Sequence, residues 1–204
     1  MKTHVANRPS LRTHFRTLRQ QLDAATRAGK TQRLNQHLSA LEALQQCRRI
    51  AAYLASSEEV SVAPSIEAAW QRGQNVFLPC IDPEPRTMTF RRYQHDRLLV
   101  KNRFGLLQPE NTEKSVSADD LDCALVPLVA FDDEGNRLGM GGGYYDTFFA
   151  KTQNRPLLIG VGFSEQHATE LLPKARWDVM LDIAVTDLGV TPFTESGSLW
   201  LLEK

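Results

Sequence analysis

The stretch GNRLGMGGGYYD, residues 135–146, sets five glycines, two tyrosines, an arginine and a carboxylate within a dozen positions. Glycine adopts backbone conformations closed to residues with a side chain, so Gly139, Gly141, Gly142 and Gly143 can turn their N–H groups outward. Where such a loop feeds a helix N-terminus, amides and the positive end of the helix dipole converge on one anion, which suits phosphate oxygens. Arg137 adds a permanent cation with a planar fork matched to phosphate. Asp146 offers the oxygen ligand that Mg2+ prefers, commonly alongside nucleotide phosphates. Tyr144 and Tyr145 could cover a base or another planar heterocycle. The segment is neither GxxxxGKS/T nor GxGxxG, since Tyr144 stands at the last glycine position, so the ordinary nucleotide motifs do not account for it. The alternative is a tight connection in which the glycines avoid clashes and Asp146 caps a helix starting near Thr147. The single short register shared by Arg137, the tyrosine pair and Asp146 favours a ligand.

A second cationic feature precedes it. Arg8, Arg12, Arg16 and Arg19 fall on one stripe of a helical period, beside an apolar stripe of Leu11, Phe15, Leu18 and Leu22. Four like charges without interspersed acids repel one another unless an anion or acidic surface faces them; solvent is expected for Arg16 and Arg19. Other chemistries lack their signatures. There is no GxSxG elbow, HExxH helix or CxxC pair. The five histidines are scattered without metal spacing and read as incidental, and Cys47, Cys80 and Cys123 read as buried free thiols. Trp70 reads as core packing. Arg91, Arg92, Arg97, Lys101 and Arg103 form a basic patch that either is solvated or meets an acidic tail on a ligand.

The elements that must position these residues alternate. Leucines at helical spacing predict helices from Pro9 to about Ala28, stopped at Gly29, and from about Thr31 to Gln46. RRIAAYLA reads as a strand, SVAPSIEAAWQRG as a helix and NVFLPCI as a strand, a βαβ unit with parallel strands. DPEPRT is a loop and MTFRRY an edge strand. CALVPLVAF is a strand, DDEGNR a turn, YYDTFFAKT a helix, PLLIGVGF a strand, SEQHATELL a helix and DIAVTD a last strand. This pattern predicts a single three-layer α/β/α domain around a largely parallel sheet, with N-terminal helices about 9–46, a body about 48–190 and a tail 191–204. The glycine segment follows the C-terminal end of a strand, where open α/β sheets bind ligands. With 24 basic and 24 acidic residues the formal net charge is zero, so no global field draws nucleic acid or an anionic membrane. The longest apolar run is too short to span a bilayer, which leads to the expectation of a cytoplasmic protein; separately, a monomer is expected.

The run VPLVAFDDEGNRLGMGGGYYDTFF closely resembles the signature of the 5-formyltetrahydrofolate cyclo-ligase family. RPSLR, IAAYLASSEEV, QRGQNVFLPCI, FGLLQPE, and GVGFSEQ followed by LPKARWDVMLDIAVTD extend the resemblance over most of the chain in the same order. The resemblance implies an ATP- and Mg2+-dependent enzyme that closes 5-formyltetrahydrofolate, with or without a polyglutamate tail, to 5,10-methenyltetrahydrofolate. It implies that Arg8 and Arg12 approach the ATP phosphates. Arg137, Leu138, Gly139, Met140, Gly141, Gly142, Gly143, Tyr144 and Tyr145 would form the ATP loop, with Arg137 and Tyr145 catalytic. Asp146 and Asp178 would hold the metal, although Asp182 or Asp187 could stand in for Asp178. Glu59, Leu54, Tyr144 and Tyr145 would contact the folate. Arg8 stands where the family usually has Lys, and Met140 and Gly142 where relatives often carry larger or basic residues. A catalytically silent nucleotide- or folate-binding protein, or an isomerase or acyl-transfer relative of similar architecture, are the competing readings.

Overall fold

The protein is described by a computed structural model over residues 7–82, 87–95, 97–102, 104–110, 114–150 and 152–202. His4, Arg103, Lys151 and the middle of the DPEPRT loop lie outside the described residues.

Helix α1 spans Arg8–Gln20, with Pro9 in its first turn and the Asn7 side chain accepting from the Ser10 amide at 2.9 Å. It ends earlier than the leucine spacing predicts. Asp23 starts a new helix by accepting from the Thr26 amide at 2.9 Å, so α2 runs Ala24–Ala40 and Gly29 lies inside it rather than stopping a helix. The capping signal outweighs the glycine, whose cost in a helix is only about 1 kcal/mol. A short α3, Glu42–Gln46, leads to strand β1, Arg49–Ala51. Then come α4 (Ala63–Gln71), β2 (Asn75–Asp82), β3 (Thr87–Tyr93), β4 (Leu99–Lys101), β5 (Leu107–Pro109) and β6 (Ser115–Val116). CALVPLVAF divides into β7, Cys123–Pro127, and β8, Ala130–Phe131, which pairs with β9, Arg137–Leu138. The chain closes with α5 (Tyr144–Phe149), β10 (Leu157–Val161), β11 (Ile183–Thr186), β12 (Gly189–Pro192) and α6 (Glu195–Leu202).

Eight strands form one sheet in the order β12-β11-β10-β7-β1-β2-β3-β6. From β11 to β2 every pairing is parallel, while β12, β3 and β6 join antiparallel at the two edges. The residues from 191 onward are thus partly built into the sheet edge and end in a helix. SEQHATELL forms only a 3-10 turn at Ser164–Gln166. Gln166 is buried there, accepting from the Phe163 amide at 2.8 Å and donating to Leu128 O at 2.7 Å, which holds the segment to the loop after β7 instead of letting a helix propagate.

Successive strand residues face opposite sides, and β7 shows what this does. Cys123 and Leu125 enter a core with Leu34 and Leu38 of α2, Leu44 of α3 and Ile66 of α4, whereas Ala124 and Val126 enter a second core with Phe90 and Phe149 of α5. Helices therefore cover both faces of a largely parallel sheet, as the alternation of elements predicts. All three cysteines are buried and free.

Candidate active site

β1 and β7 lie side by side, and the chain continues from β1 toward β2 on one side and from β7 toward β10 on the other. This is the switch point at which an open parallel sheet leaves a crevice beyond its strand ends. A cavity of about 400 Å3 opens there. Tyr53, Leu54 and Glu59 reach it from the loop after β1, Leu78 and Ile81 from β2, Leu128 and Val129 from the turn after β7, and Gly139, Met140, Gly142, Tyr144 and Tyr145 from the glycine segment. Its wall is mostly apolar, and Glu59 is the acidic residue among those lining it. The loop that carries Glu59 is shaped locally: the Tyr53 hydroxyl donates to Val60 O at 2.8 Å, and the Ser56 amide donates to Glu59 Oε2 at 2.9 Å. Burial, with the Glu59 charge adding, pushes the Tyr145 phenol far above its ordinary range and the Tyr53 phenol likewise, so both stay protonated hydrogen-bond donors.

The glycine segment is aimed by the hairpin before it. Buried Asp132 accepts from the amides of Glu134 (3.0 Å), Asn136 (2.9 Å) and Leu172 (2.8 Å), closing the predicted turn with Gly135 at φ 74°. Arg137 of β9, paired with Phe131 of β8, then faces inward with 5% of its side chain exposed. Its Nη2 donates to Asp146 Oδ1 at 2.7 Å, while its Nη1 is buried without a protein partner. Burial lowers the Arg137 pKa and the Asp146 charge opposes this; a guanidinium remains charged regardless. Gly143, at φ 68°, caps α5, which starts at Tyr144, so Asp146 lies within the first turn rather than before Thr147. From the other side α1 brings Arg12 Nε to Gly139 O at 2.7 Å and Arg8 Nη2 to Asp178 Oδ2 at 2.9 Å. Burial and then the neighbouring Arg8 charge lower the Arg12 pKa, against Asp178. Asp178 also accepts from the Ala175 amide, and Asp146 from the Val179 amide at 3.1 Å. Leu138 has no exposed side chain and packs with Phe15 and Val129 in a third small core, away from the cavity wall.

Arg19 is buried rather than solvated as expected, and Arg16, with 40% of its side chain exposed, is ion-paired rather than free in solvent. Arg16 grips Glu58 through Nε (3.0 Å) and Nη2 (2.9 Å), and Arg19, only 2% exposed, donates to Glu58 Oε2 at 2.8 Å. The acid that balances the stripe comes from a loop about 40 residues on, invisible to local spacing. Hydrogen bonds from Arg16, against partial burial and with Gln20 and Arg19 adding, lower the Glu58 carboxyl from 4.5 to about 2. A depressed carboxyl stabilises the fold fully above its unfolded value and loses that contribution as pH falls through its folded value. The melting temperature of wild type should therefore exceed that of Glu58→Gln at neutral pH, with the gap closing as pH drops from 4.5 to about 2. A gap independent of pH over that range would contradict this. Asp182 and Asp187 sit elsewhere: Asp182 accepts from Arg155 Nη2 at 2.6 Å and Asp187 from Lys30 Nζ at 2.8 Å, so only Asp178 of the three joins the arginines near the glycine loop.

A sequence profile of the 5-formyltetrahydrofolate cyclo-ligase family matches residues 4–187. The 5-formyltetrahydrofolate cyclo-ligase of Haemophilus influenzae is 36% identical over 186 residues, covering 89% of this chain and 99% of that one. This chain belongs to the 5-formyltetrahydrofolate cyclo-ligase family. The cyclo-ligase of Saccharomyces cerevisiae is 31% identical over 206 residues, covering 91% of this chain and 97% of that one. Among solved structures, 5,10-methenyltetrahydrofolate synthetase of Aquifex aeolicus superposes with a TM-score of 0.80 at 28% identity, covering 92% of this chain and 93% of that one. Among the described residues no helix is long and apolar enough to cross a membrane.

Within this cyclo-ligase fold the structure gathers Leu54, Glu59, Gly139, Met140, Gly142, Tyr144 and Tyr145 at one cavity and Arg8, Arg12, Arg137, Asp146 and Asp178 in one charged cluster beside the glycine loop. The sequence reading missed the facing wall. Asn102, Phe104, Leu106 and Leu107 line the cavity from the β4–β5 hairpin and the turn joining it. Three-residue strands are too short to show alternation, and the visible cue was the apolar FGLL run itself.

Proposed function

We propose that this chain converts 5-formyltetrahydrofolate to 5,10-methenyltetrahydrofolate with consumption of ATP and release of ADP and phosphate. The observation that carries this reading is the juncture of an apolar cavity containing one carboxylate with a glycine loop beside which a buried guanidinium nitrogen lacks a protein partner. A reduced pterin is flat and apolar on its faces and presents N–H donors on one edge. Leu54, Tyr144 and Tyr145 would cover its faces, and Glu59 would accept from the edge. The amides of Gly139, Gly141, Gly142 and Gly143, with Arg8, Arg12 and Arg137, would hold the triphosphate.

An N5-formyl group is amide-like and its oxygen is a poor leaving group. The formyl oxygen attacks the γ-phosphorus as the bond to the ADP oxygen breaks. N10 then adds to the formyl carbon, its proton is lost, and the former formyl oxygen departs as part of inorganic phosphate, leaving the N5=C–N10 bridge. Arg137 stabilises the charge that develops on the transferring group, and Tyr145, held protonated, donates to and orients the formyl end. No enzyme nucleophile is required.

The residues present fit Mg2+. Asp146 and Asp178 each have one carboxylate oxygen engaged, by Arg137 and by Arg8, and the second oxygen of each would hold the ion. No three His, Cys, Asp or Glu residues cluster as a metal cage among the described residues, which suits an ion that takes its remaining ligands from phosphate and water. Bound there, Mg2+ would neutralise phosphate charge.

The test is the methenyl chromophore. Purified protein should produce it with 5-formyltetrahydrofolate, ATP and Mg2+ together and with none of the three omitted, and formyl oxygen-18 should emerge in phosphate. Turnover without ATP would contradict the reading. Gly141 gives a graded check, since its φ is 98° and a Cβ there would stand 3.4 Å from the Arg12 Cζ. A side chain in that conformation costs on the order of 1–2 kcal/mol. Gly141→Ala should bind ATP about tenfold more weakly, the equivalent of about 1.4 kcal/mol, with unchanged affinity for the folate; calorimetric titration of each ligand decides. Exposed Arg92 of β3 and Lys101 of β4 are candidates to meet a polyglutamate tail.

A further inference from the structure

Glu58 stands next to the cavity-lining Glu59 but points the other way, into α1. Its carboxylate accepts from Arg16, Arg19 and Gln20, at 2.9, 2.8 and 2.6 Å. Its backbone carbonyl accepts from Arg27 Nη1 at 3.2 Å, and Arg27 Nη2 donates to Arg19 O at 2.6 Å, closing a ring of contacts between α1, α2 and the loop after β1. The same helix carries Arg12 to Gly139 O and Arg8 to Asp178 one and two turns earlier. One rigid element is thus fastened at its C-terminal half to the loop of the cavity and at its N-terminal half to the glycine segment.

We infer that Glu58 is a positioning residue that sets the distance between the phosphate-holding arginines of α1 and the folate-facing carboxylate of Glu59. This rests on the function proposed above. Without the Glu58 charge, Arg19, with 3% of its side chain exposed and its Nε already lacking a partner, is a buried cation that loses the carboxylate it shares with Arg16. Relief comes by moving α1 away from the loop, since leaving a buried charge unpaired is costly. Arg12 and Glu59 then lose register together, although Glu58 touches neither ligand in this reading.

The experiment compares wild type, Glu58→Gln, Glu58→Asp and, as a control that removes an exposed ion pair far from the site, Arg49→Ala. Glu58→Gln should raise the KM for ATP and for 5-formyltetrahydrofolate each by about tenfold with kcat lowered less than threefold. Glu58→Asp should recover part of both affinities, and Arg49→Ala should match wild type. A merely structural loss would instead lower the active fraction, reducing kcat at unchanged KM, and that pattern overturns the inference. Amide hydrogen exchange provides the second arm: residues 8–20 and 54–60 should exchange at least tenfold faster in Glu58→Gln while β7 and β10 do not change. Equal exchange in both segments also overturns it. If wild type yields no chromophore, the proposed reaction fails while the exchange arm still decides whether Glu58 fastens the two segments.

Discussion

Arg137→Lys should lower kcat by roughly a thousandfold while the protein still folds and still binds ATP. The basis is geometric. One arm of the guanidinium is committed to Asp146 at 2.7 Å, and the other is buried and unpaired within the protein. A buried donor left without a partner costs about 1–3 kcal/mol, so its persistence points to an acceptor supplied by a ligand. Lysine keeps the charge but is a point donor on a flexible stem; it can satisfy Asp146 or a phosphate oxygen and not both in the fork geometry. Removing one preorganised donor from a developing anion typically costs on the order of a hundred- to a thousandfold in kcat. Because the ammonium can still neutralise Asp146, the melting temperature should fall only slightly. Steady-state kinetics beside thermal melts check this, and a kcat within tenfold of wild type would remove Arg137 from the reaction.

Glu59→Gln should act on the other substrate. Its carboxylate is the acid of a mostly apolar wall, and the Ser56 amide engages one of its two oxygens. A hydrogen bond to a charged group is worth about 1.5–3 kcal/mol, and an amide presents a donor where a pterin edge also presents donors. The KM for 5-formyltetrahydrofolate should rise about a hundredfold, equivalent to about 2.7 kcal/mol, with ATP affinity unchanged. The Tyr145 phenol should at the same time titrate at lower pH than in wild type, because the Glu59 charge is one of the causes that raise it. An unaltered KM for the folate would place Glu59 outside its site.

What was legible in the sequence follows from how locally each feature is encoded. Strands such as PLLIGVGF and the turn DDEGNR carry their own composition, and both formed where composition put them. The glycine segment announced its backbone freedom, and its position after a strand end placed it at the crevice. Helix ends were harder, because Asp23 competes with a continuous leucine stripe and the cap prevails. Long-range pairings were not legible at all: Glu58 with Arg16 and Arg19, or Asp182 and Asp187 drawn away to Arg155 and Lys30, depend on which loops the sheet order brings together. The same limit explains Leu138, which lies inside the signature yet has its side chain fully buried in a core.

The proposal on which the rest depends is spatial: terminal phosphates would rest on residues 139–143 between Arg12 and Arg137, and the formyl oxygen would reach them from the cavity of Glu59. A crystal structure with a non-hydrolysable ATP analogue, Mg2+ and 5-formyltetrahydrofolate tests it most directly. The account predicts the γ-phosphorus within reach of the loop amides and Arg137 Nη1, with the formyl oxygen in line opposite the leaving oxygen. A nucleotide bound elsewhere while that loop stays empty, or a folate held outside the cavity, would contradict it.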